Sequence, residues 1–385
     1  MDLLEYQGKQ LFARSGIAIP DGRVAADPQS AVDAAEAIGY PCVVKAQVQM
    51  GGRGKAGGIK IAKNADEARE HAAEILGKEL HGPHGEGPFR AHELWIEGAS
   101  DIDAEYYASL ILDRAEKKPL AMVSRMGGMD VEEIAERDPD ALSRQHIDPG
   151  TGLAEADARQ LAVDAGIDED VVDGVANALV GLYAAFTEND ATLIEVNPLV
   201  VTTDRKVVAL DAKVTIDDAA LFRHDELSDI HDAPGGDPQE QMAKEKGVTY
   251  VKLDGDIGVL GNGAGLCMST LDVVANVGGE PANFLDAGGG SKANAIVDAL
   301  EVITSDKKVR GILFNIFGGI TRGDEVATGI IEAYERVDLD LPVVVRLDGT
   351  NSEQGLGMLA EAELPNLYVE RTMVGAAEAI VELAG

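Results

Sequence analysis

Three groups of residues in this sequence have types and spacing suited to holding phosphate or a metal ion. The first is the run Lys45-Ala-Gln-Val-Gln-Met-Gly-Gly-Arg-Gly-Lys-Ala-Gly-Gly-Ile-Lys60, where Lys45, Arg53, Lys55 and Lys60, with Lys63 just beyond, surround a cluster of glycines. Glycines let backbone N–H groups approach phosphate oxygens closely, and lysine and arginine neutralise their charge. Lys55 is followed by Ala56 and by no helix signal, so the run is not a P-loop. An exposed hairpin tip is the alternative reading. The second group is Glu195, Asn197 and Asp211, which interrupt two apolar runs, Ala191–Val200 and Val207–Lys213. Three hard oxygen ligands on neighbouring strands suit Mg²⁺, which takes one or two protein oxygens and completes its shell with phosphate and water. A solvent-facing strand edge would give the same pattern. The third group is a set of glycine loops, Gly261-Asn-Gly-Ala-Gly265, Asp286-Ala-Gly-Gly-Gly290 and Asn315-Ile-Phe-Gly-Gly-Ile-Thr-Arg322. Each leads into a helix signal, and helix N-termini favour anions. Such loops also serve as plain tight turns, and Met268 spoils a dinucleotide fingerprint in the first.

The elements that must carry these residues fall into two patterns. Apolar periodicity predicts helices over 2–16 and 27–39, then a strand holding Lys45, the glycine loop, and a second strand at Ile59-Lys60-Ile61. A helix capped by Asn64 or Asp66 runs to about Leu80. Strands follow at Glu93–Glu97, Tyr106–Leu112 and Leu120–Ser124, and helices at Ala154–Ala165 and Glu169–Phe186. The run Ala191–Val200 reads as a strand broken by Pro198, with Val207–Lys213 as its hairpin neighbour. The segment from His231 to Pro238 concentrates turn residues and reads as a linker. Beyond it, short apolar strands alternate with helices, the signature of a doubly wound parallel sheet whose ligands sit beyond the strand C-termini.

The chain of 385 residues carries 68 acidic against 33 basic residues, a formal net charge of −35. That balance argues against nucleic acid or an anionic membrane surface as a partner. No apolar run is long enough to span a membrane, and the first residues lack a basic targeting segment, so a cytoplasmic location is expected. Cys42 and Cys267 lie far apart among apolar residues and read as small buried hydrophobes. The acid is spread along the chain, which suits a salt-rich cytoplasm where counterions screen self-repulsion. A halophilic source is expected on that ground.

The segments Glu5-Tyr-Gln-Gly-Lys-Gln-Leu-Phe12, Lys45–Gly58, Ile194-Glu-Val-Asn-Pro-Leu199, Asn262-Gly-Ala-Gly-Leu266, Gly279-Glu-Pro-Ala-Asn-Phe-Leu-Asp286 and Asn315-Ile-Phe-Gly-Gly319 resemble, in order and over nearly the whole chain, the beta subunits of succinyl-CoA synthetases of the ADP-forming type. The resemblance implies an α/β chain with an ATP-grasp domain of α+β type at 1–235 and a flavodoxin-like ligase domain at 240–385. It implies reversible coupling of ATP, succinate and CoA to ADP, phosphate and succinyl-CoA in the citric acid cycle. By matching positions, Lys45, Gly52, Arg53, Gly54, Glu97, Ser100 and Glu105 would bind nucleotide, and Asn197 and Asp211 would hold Mg²⁺. Asn262, Gly319, Ile320 and Thr321 would meet the substrate side, and Glu195 would sit beside the phosphorylated histidine. Thr321 and Gly323 stand where the family pattern has valine and cysteine.

That chemistry needs a relay histidine. The histidines of this chain, at 71, 81, 84, 92, 146, 224 and 231, all precede the second domain, and none sits in a strand-end motif. The resemblance therefore implies an alpha subunit that supplies the phosphohistidine and most of the CoA site, in an alpha–beta dimer or an alpha2–beta2 heterotetramer. Ligation of malate or acetate, and nucleotide binding without catalysis, are the competing readings. Two complete domains in one chain favour the succinyl type, and Lys45, Arg53, Asn197 and Asp211 together favour catalysis.

Overall fold

The computed structural model describes residues 1–82, 87–224, 227, 237–288, 293–337 and 339–385. Two compact units divide the chain, Met1–Gly235 and Gly236–Gly385. The linker expected at His231–Pro238 falls mostly outside the described residues, as do His84 and His231.

In the first unit a helix α1 (Glu5–Arg14) precedes β1 (Gly22–Ala25), α2 (Pro28–Ile38), β2 (Cys42–Ala46), β3 (Ile59–Ala62) and α3 (Ala65–Leu76). Two short strands, β4 (Glu79–Leu80) and β5 (Phe89–Arg90), pair with each other before β6 (Leu94–Gly98). An antiparallel sheet of order β1-β6-β2-β3 results, and Lys45 stands opposite Ile59 across the glycine loop. Helices start where their caps dictate. The Asp27 carboxylate accepts from the backbone of Gln29 and Ser30 at 2.8 and 3.0 Å, and the Asn64 side chain accepts from Glu67 at 3.0 Å. The two helices bury Ala31, Ala35, Ala68, Ala72 and Ile75 against Val44, Leu94 and Ile96 of the sheet.

The rest of the unit adds β7 (Ile102–Asp113), β8 (Lys118–Ser124), α4 (Val131–Arg137), β9 (Leu142–His146), α5 (Glu155–Asp164), α6 (Val172–Glu188), β10 (Ala191–Thr202), β11 (Val207–Ala209) and β12 (Lys213–Ile216). They form a sheet of order β11-β10-β7-β8-β9, with β12 paired to the first half of β10. Contrary to the expected break, β10 runs through Pro198. The register against β7 slips between Val196 and Leu199, so the proline occupies a bulge where no ladder donor is required. The apolar face of α6, with Val175, Leu179, Leu182 and Phe186, closes the core over β7 and β10. Residues 1–3 lie along the far end of β12: the N–H of Leu3 donates to Val214 O at 2.9 Å and that of Ile216 to Met1 O at 2.8 Å. Gly8 of α1 then sits against Ala212 and Val214, where a Cβ would meet their side chains at 3.0 and 3.1 Å.

The second unit contains β13 (Thr249–Lys252), β14 (Ile257–Gly261), β15 (Asn283–Asp286), β16 (Gly311–Gly318), β17 (Val343–Gly349) and β18 (Leu367–Val369) in the order β13-β15-β14-β16-β17-β18. All neighbours are parallel except the edge pair β13–β15. Helices Ala293–Ser305, Gly323–Arg336 and Ser352–Ala362 cover one face, and Ala264–Asn276 and Met373–Ala384 the other. This is a doubly wound sheet, with the glycine loops at the strand C-termini.

Candidate functional site

Helix α1 supplies the centre of the first unit's site. Glu5 and Lys9 lie one turn apart on the stripe that also carries Gly8 and Phe12, and all four are buried. The Glu5 carboxylate takes Lys9 Nζ at 2.7 Å and Lys45 Nζ at 2.9 Å on Oε1, and Arg53 Nη1 at 2.6 Å on Oε2. Glu97, at the end of β6, takes Lys45 on Oε1 at 2.5 Å, and on Oε2 both Lys9 and the Trp95 indole N–H, the latter at 2.8 Å. Arg53 extends its other amino group to Asp211 Oδ1 at 2.6 Å. Lys45 gives a further hydrogen bond to Leu210 O at 2.7 Å, so all three of its donors are spent on protein.

The electrostatics follow from this crowding. Burial alone would push the Glu5 carboxyl upward, but the charges of Arg53, Lys45 and Lys9 outweigh it and hold the pKa well below the usual carboxylate range. Lys45 and Arg53 are raised above their ordinary values, because Glu5, Asp211 and, for Lys45, Glu97 override the burial that favours the neutral form. Lys9 is lowered, since burial and the like charge of Lys45 prevail over Glu5 and Glu97. A buried network of this kind carries ionised groups only because every member is paired.

Beside the network opens a cavity of about 450 Å³ lined by Glu5, Val48–Arg53, Phe89, Asp130–Glu132, Glu195, Asn197 and Asp211–Val214, among others. The structure thus brings Gly52, Arg53, Glu195, Asn197 and Asp211 to one cavity, with the glycine loop forming part of its wall. Gly54 is exposed at the loop tip, Lys45 and Glu97 face inward, and Ser100 is half-buried in the turn after β6. Glu105 is exposed on β7 beside the turn Gly127-Gly128, whose first N–H donates to Glu105 O at 3.0 Å. Asn197 fastens that same turn, accepting from Gly128 N at 2.7 Å and donating to Met129 O at 2.9 Å. Glu195 accepts from the Tyr107 hydroxyl at 3.1 Å. Burial raises its pKa against the pull of Lys213 and Tyr107, with Asp211 and Glu132 adding to the rise.

The metal reading can be tested on the donors. Asp211 spends Oδ1 on Arg53 and on its neighbour's N–H at 2.8 Å, whereas Oδ2 makes no hydrogen bond among the described residues. The Asn197 amide oxygen retains a lone pair beyond Gly128. Two hard oxygens on one cavity wall fit Mg²⁺ completed by phosphate and water. No cluster of three or more His, Cys, Asp or Glu suited to a metal occurs among the described residues.

In the second unit Asn262 caps the end of β14 by a reciprocal pair with the Phe317 backbone, 2.9 Å in each direction. Gly319 and Ile320 are exposed beyond β16, with Ile320 at 84%, and Thr321 is buried. The loop at Gly261–Gly265 departs from a simple anion receptor. The Asp286 carboxylate accepts from Gly263 N at 2.6 Å and from Gly288 N at 2.8 Å, so the first helix N-terminus already faces a protein anion. Residues 289–292 of the second loop are outside the described residues. Cys267 is buried, its thiol pushed up to about 12 by burial, and offers no nucleophile.

Sequence reasoning named the segment Glu5–Phe12 only as part of a family resemblance and assigned Glu5 and Lys9 no role. The available signal was their position: residues 5, 8, 9 and 12 share one helix face, and Phe12 marks that face as buried.

The first unit and the doubly wound second unit together belong to the class of ATP-grasp ligases, as two family models show. The model of the ATP-grasp domain matches residues 2–201 and that of the CoA-ligase domain residues 260–380. The chain belongs to the family of ADP-forming succinate–CoA ligase beta subunits. It is 51% identical, over all of its length and 99% of theirs, to the beta subunits from Rubrobacter xylanophilus and Natronomonas pharaonis. Among solved structures, ATP citrate lyase from Methanothrix soehngenii in complex with citrate and coenzyme A has the same fold, with a TM-score of 0.78 at 18% identity and 99% coverage of both chains.

Proposed function

We propose that this chain is the nucleotide-handling subunit of an ADP-forming succinate–CoA ligase, active with an alpha subunit. The observation that carries the reading is the cavity that joins Gly52, Arg53, Glu195, Asn197 and Asp211, in a chain that matches its family from end to end. ATP enters that cavity with its phosphates against the glycine loop and Arg53. Mg²⁺ held by Asn197 and Asp211 would neutralise charge on the transferring phosphoryl group. Gly52 and Gly54 offer backbone N–H groups without a side chain in the way, and Arg53 offers a fork of donors fixed by Glu5. Lys45 and Glu97 act from behind, Lys45 by raising the local potential and Glu97 by holding Lys45. Ser100 and Glu105 supply polar groups at the edge for the nucleoside.

The γ-phosphoryl passes to a histidine of the partner and ADP leaves. Succinate takes the phosphoryl group to give succinyl phosphate, and the CoA thiolate displaces phosphate at the acyl carbon. Glu195, carrying its proton more readily than an ordinary carboxyl, is placed to steady the neutral-to-charged change of that histidine. In the second unit Asn262 and the Gly319–Thr321 loop face the acyl and phosphate end. The histidine distribution supports the partner: a relay from the ATP site to the ligase sheet has no candidate on this chain beyond residue 240. Among the described residues no helix is long and apolar enough to cross a membrane.

Coexpression with an alpha subunit, followed by assay of phosphate release with ATP, CoA and a panel of acids, tests the reading. Release should require all three substrates, with succinate preferred. Equal release with malate or acetate would overturn the acid assignment. No labelled phosphoprotein with ATP would overturn the relay.

A further inference from the structure

The network under the cavity is balanced in charge. Lys9, Lys45 and Arg53 face Glu5, Glu97 and Asp211, one cation for each carboxylate. Five of the six side chains are 8% exposed or less, and Asp211 alone reaches 34%. Lys45 has no donor left to offer. Glu5 itself lines the cavity, so an incoming phosphate meets a carboxylate as well as a guanidinium. A polyphosphate therefore does not enter a field of surplus positive charge. It must exchange places with an anion already there.

We propose that Glu5 and Lys9 of the first helix set the charge of the nucleotide site from beneath, with Glu5 as a positioning residue that stands in for phosphate charge on Lys45 and Arg53, and Lys9 as the counterweight that keeps Glu5 and Glu97 from binding those two cations too tightly. The inference rests on the reading that nucleotide phosphates come to Arg53. Asp211, half out of the network, is the carboxylate that yields when nucleotide arrives, which leaves Arg53 free to turn to phosphate while Glu5 keeps the guanidinium aimed. Lys9 touches only Glu5 and Glu97 among the charged groups of the network and does not line the cavity.

The distinctive consequence is a pair of opposite effects. Glu5→Gln leaves the network with one cation in excess, so the full chain should bind MgADP more tightly. Lys9→Met leaves one carboxylate in excess, so binding should weaken. Each change should be on the order of three- to thirty-fold for one charge at short range in a partly solvated site. Both variants should melt lower than the wild type, because each leaves a buried charge without its partner. Glu5→Asp and Lys9→Arg, which keep the charges, should return affinity toward the wild type. Affinity is measured by calorimetry and by the emission of Trp95, the chain's single tryptophan, whose N–H rests on Glu97. If Glu5→Gln does not fold, Lys9→Met against Lys9→Arg carries the same test. Shifts of the same sign in Glu5→Gln and Lys9→Met, or lowered melting with unchanged affinity, would overturn the proposal and leave the network a structural brace. A wild-type chain that binds no MgADP would instead overturn the nucleotide reading beneath it.

Discussion

Replacing Arg53 by alanine separates bracing from catalysis most directly. The guanidinium is buried, with bonds to Glu5 at 2.6 Å, to Ala46 O at 3.1 Å and to Asp211 at 2.6 Å. Removing one partner of a buried ionic network costs about 3–5 kcal/mol, because the carboxylates left behind lose their compensation. Here Glu5 keeps Lys9 and Lys45, and Asp211 is part-exposed, so the lower end, about 3 kcal/mol, is expected. If Arg53 also meets the phosphoryl group in flight, a further loss of about 2–4 kcal/mol falls on the transition state, or roughly 30- to 1000-fold in rate. Stability is read by denaturant unfolding followed through Trp95, and chemistry by quenched single-turnover phosphorylation of the alpha subunit at saturating ATP. Folded Arg53→Ala with a phosphorylation rate within threefold of the wild type would refute the catalytic part and leave the brace.

Asp211→Asn should raise the Mg²⁺ concentration needed for half-maximal nucleotide binding, and an unaltered Mg²⁺ titration would reject the metal role. Glu5 predicts a pH dependence of known sign. Its folded pKa lies below the unfolded value of about 4.3, so its stabilisation is complete above that pH and is lost as pH falls toward the depressed value. The melting difference between wild type and Glu5→Gln should therefore be constant from pH 6 to 8 and shrink below about pH 4; a difference equally large at pH 3 contradicts it. With a net charge of −35, the chain should melt higher in molar KCl than in dilute buffer, and equal melting temperatures would remove the halophilic reading.

Most elements near the site were legible in the sequence because local signals and tertiary need agreed there. The two strands around the glycine loop, the helix beginning at Asp27, the Asn64 cap (expected as Asn64 or Asp66) and the alternation beyond residue 240 all emerged where the sequence signals placed them. Short elements escaped: β1, β9, β13 and the helix Pro238–Glu245 carry too few residues for a period to show, and their partners along the chain stabilise them. Residue types at the site were legible too, but not their orientation. Lys45 and Glu97 are polar residues in apolar strands whether they face a ligand or each other; the β2–β6 register sets them diagonally on one face, and α1 closes that face with Glu5 and Lys9. Pro198 misled for a related reason, since a bulge lets a strand carry a proline that a straight ladder would reject.

The pairing of residues 1–3 with 214–216 also gives the site a history. Synthesis proceeds at roughly 5–20 residues per second, so the first helix waits on the order of ten to forty seconds for the strand it leans on. Until Leu210 and Asp211 have emerged, Lys45 lacks its carbonyl and Arg53 its second carboxylate. The nascent chain therefore passes through a stage in which Glu5 and Glu97 already hold Lys45, and Glu5 holds Arg53, while one Arg53 amino group has no carboxylate yet. A polyanion, including the nucleotide the finished subunit will use, can meet that uncommitted side of Arg53 before Asp211 arrives, which makes nucleotide a natural companion of folding as well as of turnover.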